Sequence, residues 1–412
     1  MKVLVLNAGS SSMKFTLFSM GKEQMLAKGQ VERLGSDKPQ LQYKRSDGFS
    51  QDSNPPVQNH VDALKSICAI LADPEIGVIK NLAEVEAIGH RVVHGGEQAT
   101  KPALVNEHVK EIIRDCFALA PLHNPANLSG IEACEEAFPG VPNIAIFDTA
   151  FHQTMSPEAF LYAVPYDLYT KHGIRRYGFH GTSHNFVAEA TGAFLGSPFE
   201  KLRLITCHLG NGCSMAAISN GQVIDTSMGM TPLEGLVMGT RCGDLDPAVV
   251  IRLIELGKSA QEIDKILNKQ SGLLGVGGIN SSDMRDIIEA ELKGDKQALR
   301  ARRMFTRRIV KYIGAYFALL GGADAIVFTG GIGEWSAYIR ERIVKHLNGL
   351  NIFLDAARNE EFSGKKGIIS TPESSAKVVI MPTNEELMIA RGVVNTLNHR
   401  KVVGAENSVK AD

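Results

Sequence analysis

Two short segments hold the residue types that grip phosphate, and they lie about half a chain apart. Residues 3–14, VLVLNAGSSSMK, run from an apolar stretch (Val3 to Leu6) through Asn7, Gly9 and three serines to Lys14. Residues 204–221, LITCHLGNGCSMAAISNG, repeat the plan: an apolar stretch, then His208, Gly210, Asn211, Gly212 and Ser214. Alternation resumes after each turn (Phe15, Leu17; Met215, Ala217), the mark of a β-hairpin whose tip carries no bulk. Glycine lets backbone N–H groups approach an anion, while serine and lysine add donors and charge. One such turn says little, because hairpins need Gly and Asn anyway. Two in matching places predict a cleft that clamps a polyphosphate from both sides.

Other polar residues stand at the ends of apolar runs, where α/β folds gather ligand sites. Asp148 ends IAIFD; a turn cap is the competing explanation, but His152 and the loop RRYGFHGTSH (175–184) follow closely. Arg91 lies within HRVVHGG and needs an anionic partner if buried. Arg241 lies in GTRCGDLDP, where a structural bridge to Asp244 or Asp246 is the alternative. His90/His94 and His180/His184 have HxxxH spacing. No glutamate completes HExxH, and the nearby glycines favour loops or strand ends over a zinc site. TGGIGE (329–334) is a Gly-rich turn after a strand, without the GxGxxG of a dinucleotide fold, and no GxxxxGK[ST] loop occurs. The ensemble supplies what phosphoryl transfer needs: two phosphate turns, a nucleotide turn, carboxylates for Mg²⁺ and cations for developing charge.

The elements that must position these groups read as α/β. With 412 residues the chain exceeds one hydrophobic core, so two domains are expected. Strands and turns alternate to about residue 50, and Ser46 to Asn59 reads as a loop. Helical periodicity follows at Val61 to Leu71, and a strand at 85–96. A helix at 107–120, the segment PLHNPAN (121–127), a helix from Leu128 to Phe138 and a strand at 143–152 come next. After the second hairpin come helices at 245–257 and 260–269, a glycine-rich loop and a long helix from about Lys296 to Leu320. That helix carries Arg300, Arg302, Arg303, Arg307, Arg308 and Lys311 opposite an apolar stripe (Phe305, Ile309, Tyr312, Tyr316, Leu320). It therefore reads as an amphipathic helix with a solvated basic face. VVIMP (378–382) is a further strand, Thr383 and Glu386 suggest a capping box for the last helix, and the tail beyond Asn398 is expected to fray.

A net charge of −1 offers no field for nucleic acid or an anionic membrane. No apolar stretch is long enough to span a bilayer, and no signal segment is evident. Six cysteines without a CxxC pair point to reduced thiols and a cytoplasmic location.

These motifs closely resemble the acetokinase family, within the sugar kinase, heat-shock ATPase and actin superfamily. LNAGSSSMK (6–14) and LITCHLGNGCSMAAISNG (204–221) match its two long signatures; HRVVHGG, PLHNPAN, FDTAFH, RYGFHGTSH, MGTRCGDLDP and MPTNEE match too, covering roughly residues 2–398. The resemblance implies two domains with duplicated ribonuclease H-like cores, mixed sheets flanked by helices, and an active site in the interdomain cleft, whose closure would exclude water. Domain one would take 1–150 plus 385–412, the side of the first phosphate loop and the acid; domain two, 151–384, would bind the nucleotide. The implied reaction is reversible, Mg²⁺-dependent, in-line transfer from ATP to acetate, giving ADP and acetyl phosphate for acetyl-CoA biosynthesis. Mn²⁺ would substitute for Mg²⁺, and a homodimer is implied.

By the same resemblance Asn7, Ser10, Ser12 and Lys14 form the first phosphate loop, and His208, Leu209, Gly210, Asn211 and Gly212 the second. Asp283, Met284, Arg285, Gly331, Ile332 and Gly333 would line the adenosine site. Arg91 and Arg241 would hold the acetate carboxylate and the transferring phosphoryl group, His180 would donate to phosphoryl oxygens, and His123 would support the pocket. Asn7, Asp148 and Glu385 would organise the metal, while Val93, Leu122, Phe179 and Pro232 would wall in the acetate methyl. A carboxylate acceptor with a pKa of roughly 4 is already ionised, so it needs cations rather than a general base. Two positions depart from the family: Trp335 stands where relatives usually have asparagine, and Met284 where an aromatic residue is common. Three alternatives remain: a kinase for propionate or another short-chain acid, an ATP-gated binding module like the heat-shock ATPases, and a zinc hydrolase.

Overall fold

The structure, a computed structural model, describes residues 1–409, with side chains described through Arg400. It divides into two compact units, Met1–Ala150 with Asn384–Asp412, and Phe151–Thr383. Each is a mixed sheet flanked by helices. In the first unit the strands are β1 (Lys2–Gly9), β2 (Ser12–Ser19), β3 (Gln24–Glu32), β4 (Gln40–Arg45), β5 (Ser50–Ser53), β6 (Ala87–Val92), β7 (Ala103–Leu104) and β8 (Asn143–Phe147). They lie in the order β5-β4-β3-β2-β1-β6-β8-β7. The second unit has β9 (Arg203–Leu209), β10 (Cys213–Ser219), β11 (Gln222–Thr226), β12 (Ala325–Thr329), β13 (Gly367–Ile368) and β14 (Lys377–Ile380), in the order β11-β10-β9-β12-β14-β13.

The two sheets share a plan. In each, an antiparallel meander (β1-β2-β3; β9-β10-β11) is joined through its first strand to two parallel strands (β6 and β8; β12 and β14). The central strands are near-continuous apolar runs because both faces of the sheets are covered. On one face of the first sheet Leu4, Leu6, Phe15 and Leu17 meet Leu64, Ile67 and Leu71 of the helix His60–Leu71. On the other, Val3, Val5, Ile144 and Ile146 meet Ile389, Ala390 and Val393 of the last helix, Glu385–Val409. In the second sheet Leu204, Ala216, Ile218 and Val327 meet Val187 and Ala188 of the helix Gly181–Leu195.

Several boundaries differ from the sequence reading, each for a local reason. The segment 46–59 contains β5, which adds an edge strand beside β4. The helix after PLHNPAN begins at Asn124, with Pro125 in its first turn, where the missing N–H costs nothing. The glycine-rich loop before the long helix holds the short helix Gly272–Gly277, followed by the helix Met284–Leu292. His184 lies on the helix Gly181–Leu195 rather than on a loop. The last helix is capped by Asn384, whose Oδ1 accepts from Leu387 N at 3.0 Å, not by Thr383, and it continues through Val409 instead of fraying at Asn398. Residues 410–412 of the expected frayed tail lie outside the described residues.

The basic face of the helix Lys296–Leu319 is not wholly solvated. Arg302 is buried against Glu291 (2.9 Å), and Arg308 reaches Gly235 O at 2.7 Å and the Asp244 carboxylate at 3.1 Å. Among the described residues no helix is long and apolar enough to cross a membrane.

Candidate functional site

In the first unit the chemistry gathers at the carboxyl ends of neighbouring parallel strands. Register places Leu6 of β1 opposite His90 of β6, and Val92 of β6 opposite Phe147 of β8. Asn7, Arg91 and Asp148 thus emerge at one edge of the sheet. Asn7 also pairs across the hairpin with Lys14, so the two side chains share a face. Asp148, 1% exposed, receives Arg91 Nε at 3.1 and 3.0 Å on its two oxygens and Nη2 at 2.5 Å. Burial alone would lower the Arg91 pKa; the charges of Asp148 and Glu385 outweigh it and raise it. Glu385 is pushed up to about 7, first by burial and then by the Asp148 and Glu386 charges, against the pull of Arg91 and Lys14. Burial beside the Asp148 charge thus disfavours the ionised form of Glu385.

The segment PLHNPAN supplies positioning residues that sequence reasoning passed over. Asn124 and Asn127 are buried; Asn127 Oδ1 accepts from Val93 N at 3.0 Å and its Nδ2 donates to Ala8 O at 2.7 Å. Asn124 Oδ1 accepts from His94 N, and its Nδ2 donates to His94 O and Ile113 O. One turn of helix thus fixes both the chain beyond Arg91 and the base of the first hairpin turn. The turn is also held by His60, whose Nε2 lies 2.8 Å from Gly9 O. Among the proposed wall residues, Val93 is buried and Leu122 is exposed. His123 stands at the start of the helix Asn124–Ala137.

In the second unit the hairpin tip is surrounded by imidazoles and one arginine. His180 adopts a left-handed backbone (φ 57°) at the head of the helix Gly181–Leu195, a strained choice for a non-glycine residue that aims its ring. The ring stacks on that of His208 with centroids 4.4 Å apart. Its Nδ1 lies 2.9 Å from Ser214 Oγ. A methyl group at Gly212 would lie 3.5 Å from His180 Nε2 and 3.6 Å from Arg241 Nη1, so both side chains face this turn.

Arg241 makes no ion pair among the described residues, and burial lowers its pKa. The alternative bridge to Asp244 is not formed. Asp244 instead takes Arg308, the Tyr312 hydroxyl (3.1 Å) and Gly235 N (2.8 Å). Arg176 reaches the carbonyls of Thr226 and Met228 and the Glu234 carboxylate at 2.6 Å. These bonds tie down the loop that carries Pro232 and Arg241. Phe179 is buried next to His180 in sequence.

The glycines after β12 open the short helix Gly330–Trp335, whose first turn abuts the second hairpin. Gly330 (φ 75°) could not carry a side chain: a Cβ there would meet Leu209 backbone atoms at 2.8 to 3.0 Å. Glu334 Oε1 accepts from Gly330 N (2.9 Å) and Thr383 N (3.1 Å), joining the ends of β12 and β14. Arg340, fully buried, donates to Gly333 O (2.8 Å) and Glu334 O (2.9 Å), holding the turn from behind. Neither residue was marked by the sequence reading, although both follow the glycine turn closely. Asp283 caps the helix Met284–Leu292 and pairs with the exposed Arg285 at 2.6 Å. Met284 turns inward, 3% exposed. Trp335 is 67% exposed, with its ring over Gly364. Among the described residues no three His, Cys, Asp or Glu side chains converge as metal ligands. The HxxxH histidines are engaged otherwise: His90 with Asn143 Oδ1 (2.7 Å), and His184 with Thr206 and Ser214.

Fold and site define a two-domain α/β protein in which one sheet-and-hairpin plan is built twice, the arrangement of a phosphoryl-transfer protein. The chain belongs to the acetokinase family, whose model matches residues 2–391. It is 53% identical to the acetate kinase of Methanosarcina thermophila over 392 residues, 95% of this chain and 96% of that one. With the acetate kinase of Lawsonia intracellularis it shares 52% over 404 residues, 97% and 100% of the two chains. The crystal structure of Porphyromonas gingivalis acetate kinase matches with a TM-score of 0.92 at 46% identity, covering 96% of this chain and 99% of that one. A propionate kinase from Francisella tularensis matches at 0.90 with 42% identity, over 96% and 99%.

Proposed function

We propose that this protein transfers the terminal phosphoryl group of ATP to acetate, reversibly, giving ADP and acetyl phosphate. The observation that carries this reading is Arg91 at the strand ends. Its Nε and Nη2 donate to Asp148, and Nη1, with no hydrogen-bond partner among the described residues, would receive an anionic ligand. An acetate ion needs no proton removed; it needs its repulsion from the phosphates cancelled. Arg91 receives the carboxylate, and Val93 beside it limits the acid to a short chain. Arg241 and His180 serve the transferring group, while the second hairpin and the turn Gly331–Gly333 hold the phosphates and, with Asp283 and Arg285, the adenosine. Lys14 adds charge on the first turn.

Mg²⁺ fits the residues present. Asn7, Asp148 and Glu385 are hard oxygen donors, and the raised Glu385 marks a place where a divalent cation would relieve carboxylate crowding. When bound, the metal supplies charge neutralisation on the phosphates, and Mn²⁺ would substitute. Asp148 acts in this scheme by orienting Arg91 and the metal rather than by taking a proton.

A second copy of the chain fits the exposed apolar side chains Val249, Ile251, Ile254 and Leu256 on and just after the helix Ala248–Glu255, in keeping with a homodimer. A cytoplasmic site of action agrees with ATP as substrate and with six unpaired cysteines.

Hydroxylamine trapping of acyl phosphate, measured across acids and nucleotides, tests the reading. Acetate with ATP should give the highest kcat/KM, with propionate lower. A propionate value above that of acetate would favour the propionate reading, and no acyl phosphate from any acid would overturn both.

A further inference from the structure

His180 does not stand alone: it ends a buried chain of hydrogen bonds within the second unit. Thr206 Oγ1 lies 2.7 Å from His184 Nδ1, His184 Nε2 lies 2.8 Å from Ser214 Oγ, and Ser214 Oγ lies 2.9 Å from His180 Nδ1. Thr206, His184 and Ser214 are all fully buried. Each hydroxyl has one proton, and a neutral imidazole has one N–H and one lone pair, so protons must run in a single direction along the chain. His184 is neutral: burial, and then the neighbouring His152 and His208, hold its pKa well below the usual value.

Only the direction is open, and the head of the chain decides it. If Thr206 did not donate to His184, its proton could go only to Ala216 O at 3.4 Å, beyond ordinary O–H···O reach. Donation to His184 at 2.7 Å is the better bond. His184 Nε2–H then donates to Ser214, and Ser214 donates to His180 Nδ1.

We propose that Thr206, His184 and Ser214 are positioning residues that fix His180 as its Nε2–H tautomer, so that it donates to a phosphoryl oxygen while uncharged. This deepens the reading of His180 given above and rests on it. The surroundings favour a neutral donor. The His180 ring lies face to face with His208, at an interplanar angle of 25°, and Arg241 shares the same turn. An imidazolium there would face the Arg241 guanidinium across the turn. A lone pair presented by the opposite tautomer would repel the phosphate instead.

Two-bond ¹⁵N–¹H correlation on histidine-labelled full-length protein at pH 8, without substrates, reads the tautomers directly. His180→Gln identifies the His180 signals, and Ser214→Ala identifies His184 by its shift. Both residues should report Nε2–H. An Nδ1–H form at either, or a cationic His180 at that pH, overturns the proposal whatever the enzyme's activity. Thr206→Val keeps the volume and removes the leading donor. It should lower kcat by about 10–100-fold, the usual cost of losing an orienting partner, with KM for both substrates within about twofold. Thr206→Ser should restore it. Unchanged kcat in Thr206→Val, or failure of Thr206→Ser to rescue, refutes the relay. If instead the tautomers are as stated but no acyl phosphate forms in the unaltered protein, the function reading fails and the relay stands.

Discussion

The two hairpin turns share a sheet plan but not a charge plan. At the first, β6 and β8 end in Arg91 and Asp148, and Glu385 adds a second carboxylate, so cations and anions are interleaved. At the second, the equivalent strands β12 and β14 run into Gly330 and Thr383, stapled by Glu334. There Arg241 faces imidazoles and has no carboxylate partner among the described residues. The sheet plan occurs twice, and the residues at the strand ends give each copy its own electrostatics. A site rich in carboxylates suits a metal and an arginine-bound acid. A site with an arginine that has no ion-pair partner among the described residues, beside imidazole donors, suits the charge of a phosphoryl group.

Replacing the two arginines is the largest test of that contrast. Arg91→Ala and Arg241→Ala should each lower kcat by about 10³-fold or more, as expected when a donor to developing charge is lost from a dry site. Their effects on stability should diverge. Arg91→Ala strands Asp148, which is almost wholly buried, and should cost about 3–5 kcal/mol in urea unfolding. Arg241→Ala strands no anion and should cost far less. Equal stability losses would erase the distinction, and a near-normal kcat in either variant would remove the charge-neutralising role.

Next in size, Asp148→Asn should cut kcat by about 10²-fold and raise the Mg²⁺ concentration needed for half-maximal rate. Lost activity with an unchanged metal response would show that Asp148 serves Arg91 alone. A smaller change is expected from Val93→Ala. The removed methyls enlarge the acid pocket, and the propionate-to-acetate ratio of kcat/KM should rise about tenfold, the scale set by one methylene. No change in that ratio would place the size limit elsewhere.

The smallest effect concerns His90 and His184, two of the buried histidines, one in each unit. Burial lowers His90 to about 4, despite its bond to Asn143, and the unfolded value is about 6.5. Between these values the folded protein binds fewer protons than the unfolded one. The histidine's contribution to stability is therefore complete above pH 6.5 and is lost as pH falls towards 4. His184 acts in the same direction. Unfolding measured at pH 7 and pH 4.5 should show a smaller pH-dependent loss in His90→Gln than in the unaltered protein. Identical losses would mean that His90 is not the titrating group.

Much of the first site was legible because strand ends can be read locally. Asn7, Arg91 and Asp148 each follow an apolar run, and parallel strands bring such ends to one edge. The helpers were less visible. Asn124 and Asn127 look like ordinary polar residues around a proline, yet their amides bind backbone at Ala8, Val93 and His94. Arg308 and Tyr312 sit in a helix whose pattern matched a solvated basic face. Their role shows only once Asp244 is known to lie beside them. Thr383 looked like a cap because its spacing to Glu386 was right, but its hydroxyl is taken by Ser183.

What the sequence determined by itself is the pair of stripped hairpin tips and the polar residues that end its apolar strands. Those follow from alternation and turn chemistry within a few residues. Tertiary structure alone decided which charges become neighbours: Arg91 with Asp148, Glu385 raised to about 7 beside them, Arg241 without an ion pair among the described residues, and His180 joined through Ser214 to His184. Sheet order and burial set those distances. Because Coulomb energies and desolvation depend on distance and on exclusion of water, residue type alone could not supply them.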